Sequence, residues 1–217
     1  MDKDKIKKAL EQLKKDSKKR NFTQSVDLVI NLQNLDFKKP EEQVDVYVTL
    51  PHGKGKKAKV CALVGPELQD EASKVCDKVV GANEFDKYKQ DPKITKKLAS
   101  EYDFFIAQAN IMAQVAGAFG KVLGSRKKMP NPKAGCVVPP KFAMKPLYDK
   151  LQKTVRLLAK ERPLLHVSVG TEKDDENHII DNVLAVYNAL THSLPAEANN
   201  IKNVYLKYTM SKPVKVG

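Results

Sequence analysis

Hydrophobic and polar positions fall into stretches of different period along the chain. Ile6, Ala9, Leu10 and Leu13 recur at helical spacing among lysines, with Asp2 and Asp4 at the end where a helix dipole favours acids, and this predicts a helix over 2–17. Val26, Leu28, Ile30 and Leu32 alternate, as expected of a half-buried strand over 25–32, and 44–50 alternates likewise. From Lys59 the pattern changes. KVCALVG is a nearly continuous apolar run, as in a strand covered on both faces. A helix over 66–76, a short strand over 78–81, helices over 83–89 and 93–100, a buried strand over 103–107 and a helix over 111–119 follow. Strand and helix in this alternation predict a small parallel α/β unit. Beyond it the pattern predicts a helix over 142–154 and strands over 155–158 and 164–169, a hairpin-like pair about Lys160–Pro163. A long helix opened by Asp174, Asp175 and Glu176 and a strand over 203–208 complete the series.

The two ends each supply antiparallel-type strands and one helix, and neither is complete alone. The fold class expected is therefore an α+β split domain, an antiparallel sheet with helices built from residues 1–53 and 154–217. It is interrupted by an inserted α/β domain, three-layered and Rossmann-like, over 54–153. Two crossings side by side predict a hinge.

Composition narrows the partners. The net charge of +13 over 217 residues favours a polyanion. The excess is uneven: +10 falls on 54–154, against +2 before it and +1 after it. Cys61, Cys76 and Cys136 are odd in number and lack CxxC spacing, which favours buried or incidental thiols in a reducing cytosol over a disulfide framework or a zinc site. The lysine- and aspartate-rich first residues have no apolar core and do not read as a signal peptide. The uncharged stretch 104–120 carries Gln108, Asn110 and Gln114 and reads as buried strand and helix, not a membrane span.

Catalytic motifs are missing. Gly117 to Lys121 has the wrong spacing for a phosphate loop, and Val122 stands where a Ser or Thr is needed for magnesium; helix packing is the simpler reason for Gly117 and Gly120. His52, His166, His178 and His192 share no ligand spacing, and no serine sits in a nucleophile elbow. No enzyme activity, cofactor or metal is expected. RNA binding fits better. Lysines supply phosphate affinity, while hydroxyls and a few aromatics or sulfurs supply shape recognition. Candidates are Phe22, Thr23, Ser25, Thr209, Met210 and Ser211, beside Lys19 and Arg20; periodicity alone places Phe22 in the core. A second basic element is the loop GSRKKMPNPKAGCVVPP over 124–140. Its prolines exclude helix and hold Arg126, Lys127, Lys128 and Lys133 at set places.

MPNPKAG at 129–135 resembles the signature loop of the ribosomal protein L-one family, large-subunit proteins of the mobile stalk. KRNFTQSV at 19–26, TLPHGKGK at 49–56, HVSVG at 166–170 and YTMSKPVKV at 208–216 resemble family segments in the same order, with a length and basicity nearest archaeal members. The resemblance implies a ribosomal, cytoplasmic protein, monomeric when free and without a membrane partner. The resemblance further implies binding to the large-subunit rRNA stalk, assistance in release of exit-site tRNA, and, as in many members, repression of its own mRNA through an rRNA-like structure. It implies RNA contacts in the split domain at Phe22, Thr23, Ser25, Thr209 and Met210; Lys19, Arg20, His166, Lys207 and Ser211 are candidates beside them, and the loop cations Arg126, Lys127, Lys128 and Lys133 are a secondary basic site. One departure stands out: the family has Thr-Met-Gly where this chain has Thr209-Met210-Ser211.

Overall fold

A computed structural model describes residues 1–216. The chain divides into two compact units, Met1–Lys56 with the segment from Lys153 onward, and Lys57–Gln152. In chain order the elements are α1 (Lys3–Asp16), β1 (Ser25–Leu32), β2 (Val44–Thr49), β3 (Val60–Val64), α2 (Pro66–Val75) and β4 (Lys78–Gly81). There follow α3 (Phe85–Gln90), α4 (Pro92–Glu101), β5 (Phe104–Gln108), α5 (Met112–Ser125), β6 (Val137–Val138) and α6 (Met144–Lys153). The last are β7 (Thr154–Ala159), β8 (Leu164–Thr171), α7 (Glu176–Ser193), β9 (Ile201–Tyr208) and β10 (Val214–Lys215).

In the first unit, Ile6, Ala9, Leu10 and Leu13 make the buried face of α1. Full burial of each large side chain among them contributes roughly 1.5–3 kcal/mol before conformational entropy is counted. Asp175 caps α7 by accepting from the Asn177 N–H at 3.0 Å. An antiparallel sheet of order β10-β9-β1-β8 lies against this core, to which Val26, Leu28, Ile30, Leu165, Val167, Val204 and Leu206 all belong. Ser25 pairs with Thr171 and Val26 with Tyr208, so β1 is central, with β8 on one side and β9 on the other. Strand alternation turns Asp27, Val29 and Asn31 to the other face, and Val29, though buried, is outside the core cluster.

Strands β7 and β8 do not form the expected hairpin. β7 pairs with β2, from Val44↔Ala159 to Thr49↔Thr154, in a separate two-stranded sheet, and β8 pairs with β1. The pairing is fixed by partners distant in sequence. Asp45 takes a bidentate contact from Arg156 at 2.8 and 2.9 Å and another from Lys160 at 2.9 Å. One face of this small sheet also joins the core through Val44, Val48, Val155 and Leu157.

The second unit holds a parallel sheet of order β4-β3-β5-β6. All five residues of β3 are buried, as its unbroken apolar run requires. Its core includes Leu63, Phe85, Tyr88, Phe105, Val115, Phe119 and Leu123. Three sequence expectations need correction. First, α5 runs to Ser125, so Gly124 and Ser125 belong to the helix and not to the proline loop. Second, within that loop Pro132–Ala134 forms a 3₁₀ turn and Val137–Val138 a short strand; Pro132 begins the turn, where its missing N–H costs no bond. Third, packing does not explain Gly117 and Gly120, because a Cβ on either meets nothing within 4 Å outside its own helix. Among the described residues no helix is long and apolar enough to cross a membrane.

Candidate nucleic-acid interface

The start of β1 and the end of β9 meet through hydrogen bonds between residues far apart in sequence. The Ser25 N–H donates to Thr209 Oγ1 at 3.0 Å, and the Thr209 N–H donates to the Ser25 carbonyl at 3.2 Å. Beside this junction, Gln24 is 2 % exposed, and its Oε1 accepts the Met210 N–H at 3.2 Å. Its carbonyl accepts the Glu172 N–H at 3.0 Å, which ties in the end of β8. Three segments are thus locked into one edge.

Two apolar side chains are displayed there in place of being packed. Phe22 is 50 % exposed and Met210 is 61 % exposed. The periodic assignment of Phe22 to the core is corrected by this exposure. The strand begins only at Ser25, and the inward position next before it is filled by Gln24.

Two clefts flank the junction. One, of about 510 Å³, is lined by Lys18, Lys19, Arg20, Phe22, Thr23 and Glu172 among others. The other, of about 870 Å³, is lined by Lys18, Arg20, Met210, Ser211, Lys212 and Lys215 among others. Lys18 and Arg20 border both, so the clefts adjoin. Exposed cations beside apolar and hydroxyl groups suit phosphates and unstacked bases together. Lys14, next to this edge, is engaged by Glu176, whose hydrogen bond raises its pKa.

Eight of the ten sequence candidates, Lys19, Arg20, Phe22, Thr23, Ser25, Thr209, Met210 and Ser211, come together here. His166 and Lys207 line neither cleft: Lys207 opposes Asp27, two residues along from Ser25 and Thr209, and His166 opposes Val29, roughly 13 Å along β1 from Ser25 at the usual strand rise. At the departure from the family pattern, Ser211 is outside the positive-φ set, which among described non-glycine residues is Asn34, Lys127 and Glu197. Its hydroxyl accepts the Tyr208 N–H at 2.8 Å and lies 3.0 Å from the Lys212 carbonyl. The Ser211 N–H also donates to the Tyr208 carbonyl at 3.2 Å, so a backbone bond and a side-chain bond close this turn with no left-handed backbone at Ser211.

Gln24 and Glu172 were not singled out from the sequence. Gln24 lies inside KRNFTQSV, but an isolated glutamine carries no spacing signal, and its role appears only when Met210 and Glu172 are seen beside it.

The basic loop of the second unit is only partly a charge display. Lys128 Nζ donates to the Ala99 and Tyr102 carbonyls at 3.0 and 2.7 Å, capping the end of α4, and burial lowers its pKa. Arg126 donates to the Ser100 hydroxyl. Lys127 takes the left-handed conformation (φ 57°) that ends α5, with its N–H on the Gly124 carbonyl and that of Lys128 on Leu123. Lys133 is exposed.

The three thiols offer no reactive centre. Burial raises Cys61 to about 12 and Cys76 and Cys136 each to about 11. His52 stacks on His178 with ring centroids 4.0 Å apart, a pairing invisible in their spacing. Among the described residues no cluster of His, Cys, Asp or Glu is able to hold a metal ion.

The model of the ribosomal protein L1p/L10e family matches residues 13–212. A large ribosomal subunit protein uL1 from Pyrococcus abyssi is 40 % identical over 216 residues, covering 99 % of this chain and 96 % of the relative. Those of Thermococcus kodakarensis (38 %; 99 % and 98 % covered) and Methanothermococcus thermolithotrophicus (37 %; 100 % and 99 %) are similar over the same span. With the match running through both units and across the junction of β1 and β9, the chain belongs to the ribosomal protein L1p/L10e family.

Proposed function

We propose that this protein is a non-enzymatic component of the large ribosomal subunit in the cytoplasm, binding the rRNA of the mobile stalk beside the tRNA exit site. The same surface binds an rRNA-like structure in its own mRNA and represses translation, and on the ribosome the protein assists release of exit-site tRNA. Free in solution it is a monomer. The observation that carries this reading is the Ser25–Thr209 junction, which sets exposed Phe22 and Met210 beside Lys18 and Arg20. Rigid bonding below and exposed apolar groups above suit recognition of RNA shape, because the ordering cost is met before RNA arrives.

Exchanging both Thr209 and Met210 for alanine tests this site. Affinity for a stalk-rRNA fragment is expected to fall about tenfold or more, the scale of one lost specific contact. Affinity for an unrelated structured RNA should stay nearly unchanged, since the cations remain. Equal losses on both RNAs would place specificity elsewhere.

A further inference from the structure

One group in the smaller cleft is out of keeping with a surface made for phosphates. Glu172 lines it beside Lys18, Lys19, Arg20 and Lys173, yet its carboxylate is held by an amide and not by a cation: Gln24 Nε2 donates to Oε2 at 3.3 Å. Gln24 cannot swing away, being buried with its Oε1 on the Met210 N–H and its carbonyl on the Glu172 N–H. The carboxylate is therefore aimed, and it keeps acceptor capacity on both oxygens.

A phosphate brought here meets like charge, so the matching ligand group is a donor. Phe22, half-exposed on the same cleft, adds an aromatic face on which a base stacks. Uracil offers one N–H between two carbonyls. Adenine and cytosine each offer one amino group beside a ring nitrogen whose lone pair faces the second carboxylate oxygen. Guanine alone presents two adjacent donors, N1–H and N2–H₂, at the spacing of a carboxylate. The cleft, at about 510 Å³, is within the range of small-ligand pockets.

We infer that this cleft takes an unpaired guanine of the bound RNA, stacked on Phe22 and hydrogen-bonded through N1–H and N2–H₂ to Glu172. Lys18 and Arg20 receive the flanking phosphates. The inference rests on the RNA-binding reading and adds to it the base and the residue that reads it.

The test uses the full chain and a stalk-rRNA fragment from the ribosome of an archaeal relative. Each unpaired guanosine is replaced in turn by adenosine, or by inosine, which lacks the N2 amine. With the unaltered protein, one guanosine should stand out, its change to adenosine weakening binding about tenfold and its change to inosine less. Glu172→Gln, which keeps the shape and is checked for folding by circular dichroism, should bind the unsubstituted fragment about tenfold more weakly. It should no longer distinguish that guanosine from adenosine, yet still prefer the stalk fragment to an unrelated RNA. The inference is overturned when no guanosine separates the two proteins while both keep their stalk preference. It is also overturned when Glu172→Gln binds every fragment more tightly, as removal of a like charge from a purely phosphate-binding groove would produce. Absence of stalk preference in the unaltered protein overturns the RNA reading itself, and this inference with it.

Discussion

Ser211 shows how a side chain adds to a turn that the backbone already closes. Its hydroxyl is engaged within the turn after β9, between Tyr208 and Lys212, and so supports that turn. Changing Ser211 to glycine should lower stability by about 0.5–1.5 kcal/mol, the usual net value of one hydrogen bond, with stalk preference retained. Urea unfolding and RNA binding of the same preparation check both halves. Lys128 and Lys133 should separate in the same manner. Lys128→Met removes the cap on α4 and should cost about 1–2 kcal/mol of stability. Lys133→Met, at an exposed position, should leave the unfolding midpoint in place and only weaken salt-sensitive RNA binding. A matching loss of stability in both variants would contradict this division. From sequence the two lysines look alike. What distinguishes them is the nearness of the α4 carbonyls, which no local pattern encodes.

At the scale of elements, the sheet of β2 and β7 depends on Asp45. Burial pushes its carboxyl pKa up, but hydrogen bonds and charge from Arg156 and Lys160 outweigh this and hold it below the ordinary value of 3.8. A carboxyl lowered on folding adds stability that is full above its unfolded pKa and is lost as pH falls through the folded one. Acid unfolding of the natural protein should therefore include a component below pH 3.8 that Asp45→Asn lacks. At neutral pH the same change should cost about 1.5–3 kcal/mol, the range for hydrogen bonds to charged groups. A melting curve unchanged from pH 7 downward would refute the role given to Asp45.

The elements also mark where pattern reading stops. Helix α1 and strands β1, β3 and β5 were legible because apolar period and burial coincide over several residues. β6 and β10 span two residues each, too few for any period to register. Adjacency in sequence made β7 and β8 read as a hairpin, whereas long-range partners decide both. The site was legible in its segments but not in its wiring. Lys19–Ser25 and Thr209–Ser211 were recognisable as motifs, while Gln24 and Glu172 gain meaning only from contacts across 148 and 186 positions.

At the scale of the whole molecule, the pairing Thr49↔Thr154 and the bond from the Leu50 N–H to the Lys153 carbonyl bring the two ends of the split unit side by side. Removing residues 57–152 and bridging the gap with a short linker should therefore leave a folded protein. It should show a cooperative unfolding transition and keep its preference for stalk rRNA, with weaker non-specific binding because +7 of the net charge of +13 is lost. An unfolded product, or a folded one without RNA preference, would contradict the placement of specificity in that unit.

The central claim is tested most directly by binding the full chain to a stalk-rRNA fragment and to an unrelated structured RNA of equal length across a salt series. Both affinities should fall with salt, because counterions are released from phosphates in each case. The account predicts that preference for the stalk fragment persists as the electrostatic part is screened, since Phe22, Thr209, Met210 and the groups beneath them read shape and bases. Equal affinities falling together along one line would mean that charge alone binds RNA, and would contradict the account.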